Sequence, residues 1–294
     1  SHSSLKQISI PASCTKIEEN AFADCLYLQK VEFEEGSKLQ SLGSDLFFSC
    51  KRLNEVDIPE NSSLRVIEND IFNFSSVKTL FIPKNLEIIE NGLSRFSKIK
   101  KIIISPLNPN FGYLDEKHQV VVGKSNNKEK IFDTIIFADR NIEHVSIPKF
   151  IKFIHTAAFM ECEKLKRIDI PDDSEIESIG EKAFFSTSLV NFKFPRKICK
   201  YANEILSACR KIRFIEFLGD EFIDDENRSI FIELQSLILA SFPNIQRFSV
   251  PSKKDTFKFS EDFTLFINPG VDVNLHNVRE SSKKHVSDDD SYSD

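Results

Sequence analysis

The sequence contains no tryptophan, one methionine and only 8 glycines among its 294 residues. So few glycines argue against phosphate-cradling loops and against a collagen-like or elastic chain. No G-x-S-x-G, P-loop, H-E-x-x-H or G-x-G-x-x-G occurs, so hydrolase, nucleotide and zinc-protease chemistry has no motif to stand on. The six cysteines lie far apart with no C-x-x-C, so neither a zinc site nor a dense disulfide framework is expected. His2, His118, His144, His155, His276 and His285 never recur at a ligand spacing. No apolar run approaches the roughly 18–20 residues of a membrane span, and no leader of basic then apolar residues is visible. A formal net charge of −6 disfavours general nucleic-acid binding. The expectation is a non-enzyme that uses no cofactor and no metal.

Against these absences stands an excess of 28 phenylalanines beside 4 tyrosines. One packing solution used many times would produce it. Ile17, Ala21, Phe22, Cys25, Leu28, Val31 and Phe33 recur as Ile154, Ala158, Phe159, Cys162, Leu165, Ile168 and Ile170. The same frame fits the segments that begin at Leu42, Ile67 and Ile179. Phe22, Phe47 and Phe72 are 25 residues apart, and so are Phe159 and Phe184.

Within each unit the run L-x-x-[IV]-x-[IF] alternates as a short strand with one buried face does. Proline follows it at Pro11, Pro59, Pro83, Pro148, Pro171 and Pro195, where a missing N–H ends ladder pairing. Next come a polar stretch, a buried Ile or Leu, and a turn that carries Ala-Phe inward. A unit of 22 to 25 residues with a single strand cannot bury its own apolar face, so the units must stack as a solenoid. Cys25, Cys50, Cys162 and Cys209 share one repeat position with Ser75 and Thr187. That exchange suits small buried side chains and free thiols, not nucleophiles.

Over about residues 5–251 this frame resembles the BspA-like, Treponema pallidum-type leucine-rich repeats. The resemblance implies an α/β-type repeat solenoid, mostly β. It would form an arc of about ten rungs, with a parallel concave sheet and short turns or 3-10 segments on the convex side. It further implies a non-enzymatic recognition or adhesion module of the surface-antigen kind, binding a host or self protein on the concave sheet or its edges. The cell surface or a secreted life follows from the resemblance. An intracellular scaffold or assembly component in the cytoplasm is the alternative, for which free thiols would be natural.

The chain divides by pattern into leucine-rich repeats at 1–104, an irregular hairpin-like insertion at 105–141 and further repeats at 142–251. A C-terminal cap at 252–279 and a disordered acidic tail at 280–294 follow. The insertion opens on Asn108-Pro109-Asn110-Phe111 and reads as two strands, around Val120–Val122 and Ile135–Phe137, joined by a Lys/Asn turn. An acid-rich loop at 219–229 suggests calcium, but its spacing is not that of an EF-hand and solvation is the better reading. Partner-binding candidates come from the outward strand positions: Asp57, Phe81, Lys101, Ile103, Arg167 and Asp169. Phe81 and Ile103 stand out as adjacent apolar residues in an otherwise polar column, either a partner anchor or a patch covered by the insertion.

Overall fold

The computed structural model describes residues 4–90, 93, 98–126, 128–195, 200–201, 204–217, 247–250 and 264–267. The acidic loop at 219–229, the tail and most of the expected cap lie outside them. The N-terminal rungs contain β1 (Gln7–Ile10), β2 (Lys30–Phe33), β3 (Ser41–Leu42), β4 (Glu55–Asp57), β5 (Val66–Ile67), β6 (Thr79–Ile82), β7 (Ile88–Ile89) and β8 (Lys101–Ile104). Then come β9 (Phe111–Tyr113), β10 (Val120–Gly123) and β11 (Thr134–Ala138). The C-terminal rungs contain β12 (His144–Ser146), β13 (Phe153–Ile154), β14 (Arg167–Asp169), β15 (Ser178–Ile179), β16 (Asn191–Phe194), β17 (Lys200–Tyr201), β18 (Phe214–Phe217), β19 (Arg247–Val250) and β20 (Thr264–Ile267). Among the described residues there is no helix, and every convex segment is built from turns. The chain is a mostly-β solenoid of stacked parallel ladders.

The strands of the repeat frame pair in parallel as β1-β2-β4, β6-β8, β12-β14 and β16-β18-β19-β20. In register, Val31 sits on Val56 and Leu80 on Ile102, so each inward residue repeats one rung on. A second ladder, β3-β5-β7, and its counterpart through β13, β15 and β17 correct the expectation of one strand per unit. These strands are two residues long. The Ile or Leu expected to be buried ahead of the turn (Leu42, Ile67, Ile154, Ile179) is their buried member. Two residues cannot display an alternation, so the period of a strand is invisible there.

In six of the described rungs the third side is a turn bounded by two left-handed residues four apart. Asn20 and Asp24, Asp45 and Ser49, Ala157 and Glu161 all have φ between 51° and 59°. A non-glycine residue in that region costs about 1–2 kcal/mol. Bonds to the next rung offset it: the N–H groups of Asn20, Phe22 and Asp24 donate to the carbonyls of Ser44, Leu46 and Phe48. Thus a chain poor in glycine still turns sharply at these described rungs.

Inside, the Phe column forms the expected spine. Phe22 and Phe47 stack at 5.8 Å between ring centroids, Phe47 and Phe72 at 5.9 Å, and Phe159 and Phe184 at 5.0 Å. Phe22 is only half-buried, because no further Phe stacks on its outer side. The column of small residues is buried as well. The Cys50 thiol donates to the Phe22 carbonyl at 3.0 Å and that of Cys209 to the Phe184 carbonyl at 2.9 Å, each reaching one rung back. Burial pushes the Cys50 thiol up to about 12, which suits packing and not nucleophilic work. Among the described residues, Cys14, Cys25, Cys50, Cys162 and Cys209 form no disulfide.

The repeat breaks at β9–β11. β10 pairs antiparallel with both β9 and β11, and β11 joins the second ladder by pairing parallel with β13. Every residue of β10 and β11 is buried, which explains the unbroken runs Val120–Val122 and Ile135–Phe137. Val121, Ile136 and Phe137 pack into an N-terminal core, whereas Val120, Val122 and Ile135 pack into a C-terminal one. The hairpin is a partition between two cores. Tyr113 fastens it to β8: its hydroxyl donates to the Ile102 carbonyl and accepts from the Ile104 N–H, both at 3.1 Å, standing in for a neighbouring strand.

Candidate functional site

On a parallel strand the residues between the inward ones point away from the core. In the concave ladders these are Glu32, Asp57, Phe81, Ile103, Ser146, Asp169, Lys193 and Glu216. Their charges are mostly neutralised by neighbours on the sheet. Lys30 lies 2.6 Å from Glu32, 3.1 Å from Asp57 and 3.5 Å from Glu55, so one ammonium serves acids of two adjacent rungs. Bonds to Glu32 and then Asp57 hold its pKa above the usual lysine value. Lys193 similarly bridges Asp172 and Glu216 at 3.6 and 3.4 Å.

Asp169 is the hub of the C-terminal half. Arg167 Nε donates to its Oδ1 at 2.7 Å, and His144 Nε2 lies 2.8 Å from Oδ2. Both hold its carboxyl below the usual aspartate range, Arg167 more strongly. These pairs are exposed, so each contributes little to stability; what they do is consume charge.

Between them the outward column carries no charge, at Phe81, Ile103 and Ser146. Phe81 and Ile103 face each other in register on β6 and β8, and Lys101 is exposed two residues before Ile103. Ile103 is 41% exposed, while the hairpin's strands join the second ladder. The six sequence candidates therefore fall into two groups. Phe81, Lys101 and Ile103 share one pair of strands, and Asp57 sits on β4 beside it, drawn into the Lys30 cluster. Arg167 and Asp169 belong to the separate triad on β12 and β14. Sequence reasoning missed that Lys30 and His144 close these clusters, because each finds its partner a rung away.

A second concavity of about 580 Å³ opens between β7 and the hairpin, with Ile88, Ile89, Phe111, Ile136, Lys124 and His155 in its wall. Burial pushes the His155 imidazole down to about 4. In the unfolded chain it would titrate near 6.5, so unfolded chains take up its proton first as pH falls. The stability contributed by keeping it neutral is complete above about pH 6.5 and is lost on descent towards 4. Allowing for partial exposure, about 2 kcal/mol is expected to vanish across that window. Urea midpoints at pH 7 and pH 4.5 should show the loss in the wild type and a flatter profile in His155→Gln.

Family-level comparison agrees with this architecture. The model of a BspA type leucine rich repeat region matches residues 1–113 and 130–259, in 6 copies. The pneumococcal vaccine antigen PcpA superposes with a TM-score of 0.59 at 16% identity, over 93% of this chain and 80% of that one. A leucine-rich repeat protein from Eubacterium ventriosum gives 0.61 at 18% identity, over 90% of this chain and 72% of that one. No curated protein matches the sequence. At such identities the likeness shows a shared fold.

Proposed function

Because the chain belongs to the BspA-type leucine-rich-repeat family, we propose that it is a non-catalytic recognition module whose concave sheet binds a protein partner. The observation that carries the proposal is the Phe81–Ile103 pair, apolar and outward-facing on a sheet whose acidic residues are paired off. An interface core favours such a site: apolar centre, charged rim. Asp57 and Lys101 supply rim charge beside the anchor. Arg167 and Asp169 offer a second contact further along the arc. Display at the cell surface, and adhesion through this face, form part of the same proposal.

The test is a double substitution, Phe81→Asp with Ile103→Asp. Both side chains project outward, so the variant should keep its circular dichroism spectrum and lose at most about 1 kcal/mol of stability. Proteins captured by the wild type from host and self extracts are expected to be lost or bound at least about tenfold more weakly by the variant, as two central anchors are worth well over 1.4 kcal/mol together. A folded double variant with unchanged capture and affinity would remove the concave face from consideration. Labelling of intact cells with an impermeant reagent tests display separately.

A further inference from the structure

Each rung enters its concave strand past one buried residue, such as Leu53, Val77, Ile99, Leu165 or Ile212. Most positions on either side of it are exposed and line one lateral edge of the solenoid, with Ser76 and Val190 half-buried and Ser188 buried. Backbone bonds hold them in columns within each half: the Asn54 N–H donates to the Gln29 carbonyl and that of Lys100 to the Lys78 carbonyl, and beyond the hairpin the Lys166 N–H donates to the Glu143 carbonyl. From Leu28 onward, the column before the buried residue carries Arg52, Lys98, Lys164 and Lys211. The column after it carries Lys78, Lys100, Lys166 and Arg213, and the sole acid in either is Glu143. A chain of net charge −6 thus concentrates cations on one edge.

Unlike Lys30, Arg167 and Lys193 on the concave strands, these cations are unneutralised. Among the described residues, none of the eight forms an ion pair. Lys98 and Lys211 instead reach the hydroxyls of Ser76 and Ser188 at 3.4 and 3.0 Å. Those hydroxyls in turn donate to the carbonyls of Lys51 and Glu163, so the same relay recurs in both halves. Arg52 lies over the Tyr27 ring at 5.1 Å.

We propose that this edge binds a linear sulfated polysaccharide. The stripe is narrow. Exposed Asp24 and Glu161 stand on the convex turns to one side, and Glu55 and Asp169 on the strands to the other. A single thin polyanion lying along the stripe meets cations within a Debye length of about 8 Å, whereas a duplex or a bilayer surface would also meet those acids. Tyr27 is the aromatic in the two columns and is occupied by Arg52, so bases find no stacking platform. Six of the eight cations are lysines, point charges on flexible stems that suit irregularly placed sulfates better than a fixed bidentate geometry. Within each half, rungs about 4.8 Å apart set the pitch of the charge row.

The full chain should bind immobilised heparin at about 0.15 M salt, with affinity falling steeply as salt rises. Replacing Lys98, Lys100, Lys164 and Lys166 by alanine should weaken binding at least about tenfold and flatten the salt slope. A control that removes Lys16, Lys38, Lys84 and Lys149 changes net charge equally but lies off the stripe, and should change affinity by less than about twofold. Desulfated heparin should not bind. The proposal is overturned if heparin is not retained by the wild type, if the control loses as much as the stripe variant, or if duplex DNA or phosphatidylserine vesicles bind as tightly as heparin. Because the Phe81→Asp/Ile103→Asp variant leaves the stripe intact, it should bind heparin normally, which keeps failure of the two readings distinguishable.

Discussion

Gly180→Ala is expected to be among the most damaging single-methyl additions this chain can receive. Gly180 follows β15, and its N–H donates to the Ile154 carbonyl at 2.8 Å. A Cβ built there would fall on the Thr156 amide nitrogen, and would stand only 2.7 Å from the His155 carbonyl carbon and the Thr156 Cα. All three are backbone atoms of the preceding rung, held by their own ladder, so no side chain can swing aside. Relief requires that two rungs separate, at a cost of about 3 kcal/mol or more. Gly43 occupies the same place in its rung, after Leu42, yet there the Cβ would meet Glu19 N at 3.1 Å and the Ile17 carbonyl oxygen at 3.3 Å. A shift of a few tenths of an ångström suffices, and Gly43→Ala should cost about 1 kcal/mol. Paired urea melts test the contrast. Equal midpoints for the two variants would show that rung spacing is soft and that the close approach at Gly180 is not a constraint.

That contrast marks where legibility stops. The Phe47 and Phe72 positions announce themselves because a side-chain column must repeat at the rung period, and their stacking follows from it. The hairpin strands were also legible, since β10 and β11 are buried on both faces and read as unbroken apolar runs. What the runs could not say is that opposite faces serve different cores, because a strand's pattern reports burial and not the neighbour that buries it. Gly43 and Gly180 look alike as letters, and their difference lies in a rung-to-rung distance that no local pattern encodes. For the candidate site, Phe81 and Ile103 could be read as neighbours from the period alone. The neutralisation of Asp57 by Lys30 and of Asp169 by Arg167, and the bond from Asp169 to His144, could not. It depends on rotamers chosen across rungs, and that neutralisation is what leaves the apolar pair conspicuous.

Removing the Asn108 side chain should be as costly as crowding Gly180, for the opposite reason. Asn108 is buried where the chain leaves β8 for the hairpin. Its Nδ2 donates to the carbonyls of Pro83 at 2.7 Å and Leu86 at 3.0 Å, one rung back. Its Oδ1 accepts from the N–H groups of Asn110 at 2.7 Å and Phe111 at 3.0 Å, one turn ahead. One amide thus ties the last regular rung to the first residue of β9. Asn108→Ala leaves the half-buried Asn110 N–H and the buried Phe111 N–H without this acceptor; the Pro83 and Leu86 carbonyls fare better, since each accepts another bond, from Leu86 N and Asn110 Nδ2. At about 1–3 kcal/mol per orphaned buried group, a loss near 3–4 kcal/mol is expected. Asn108→Asp separates the two halves of the knot. It keeps the acceptor for Asn110 and Phe111 but turns a carboxylate towards two carbonyls, so its folded-state pKa must rise above the unfolded 3.9 or so. Stability of this variant should therefore improve relative to wild type as pH falls from 7 towards 4, when a protonated carboxyl can donate again. An alanine variant within about 1 kcal/mol of wild type would show the knot to be dispensable. A collapse of Asn108→Ala that spares the N-terminal rungs would instead show that this amide holds the hairpin, and with it the partition on which the two cores meet.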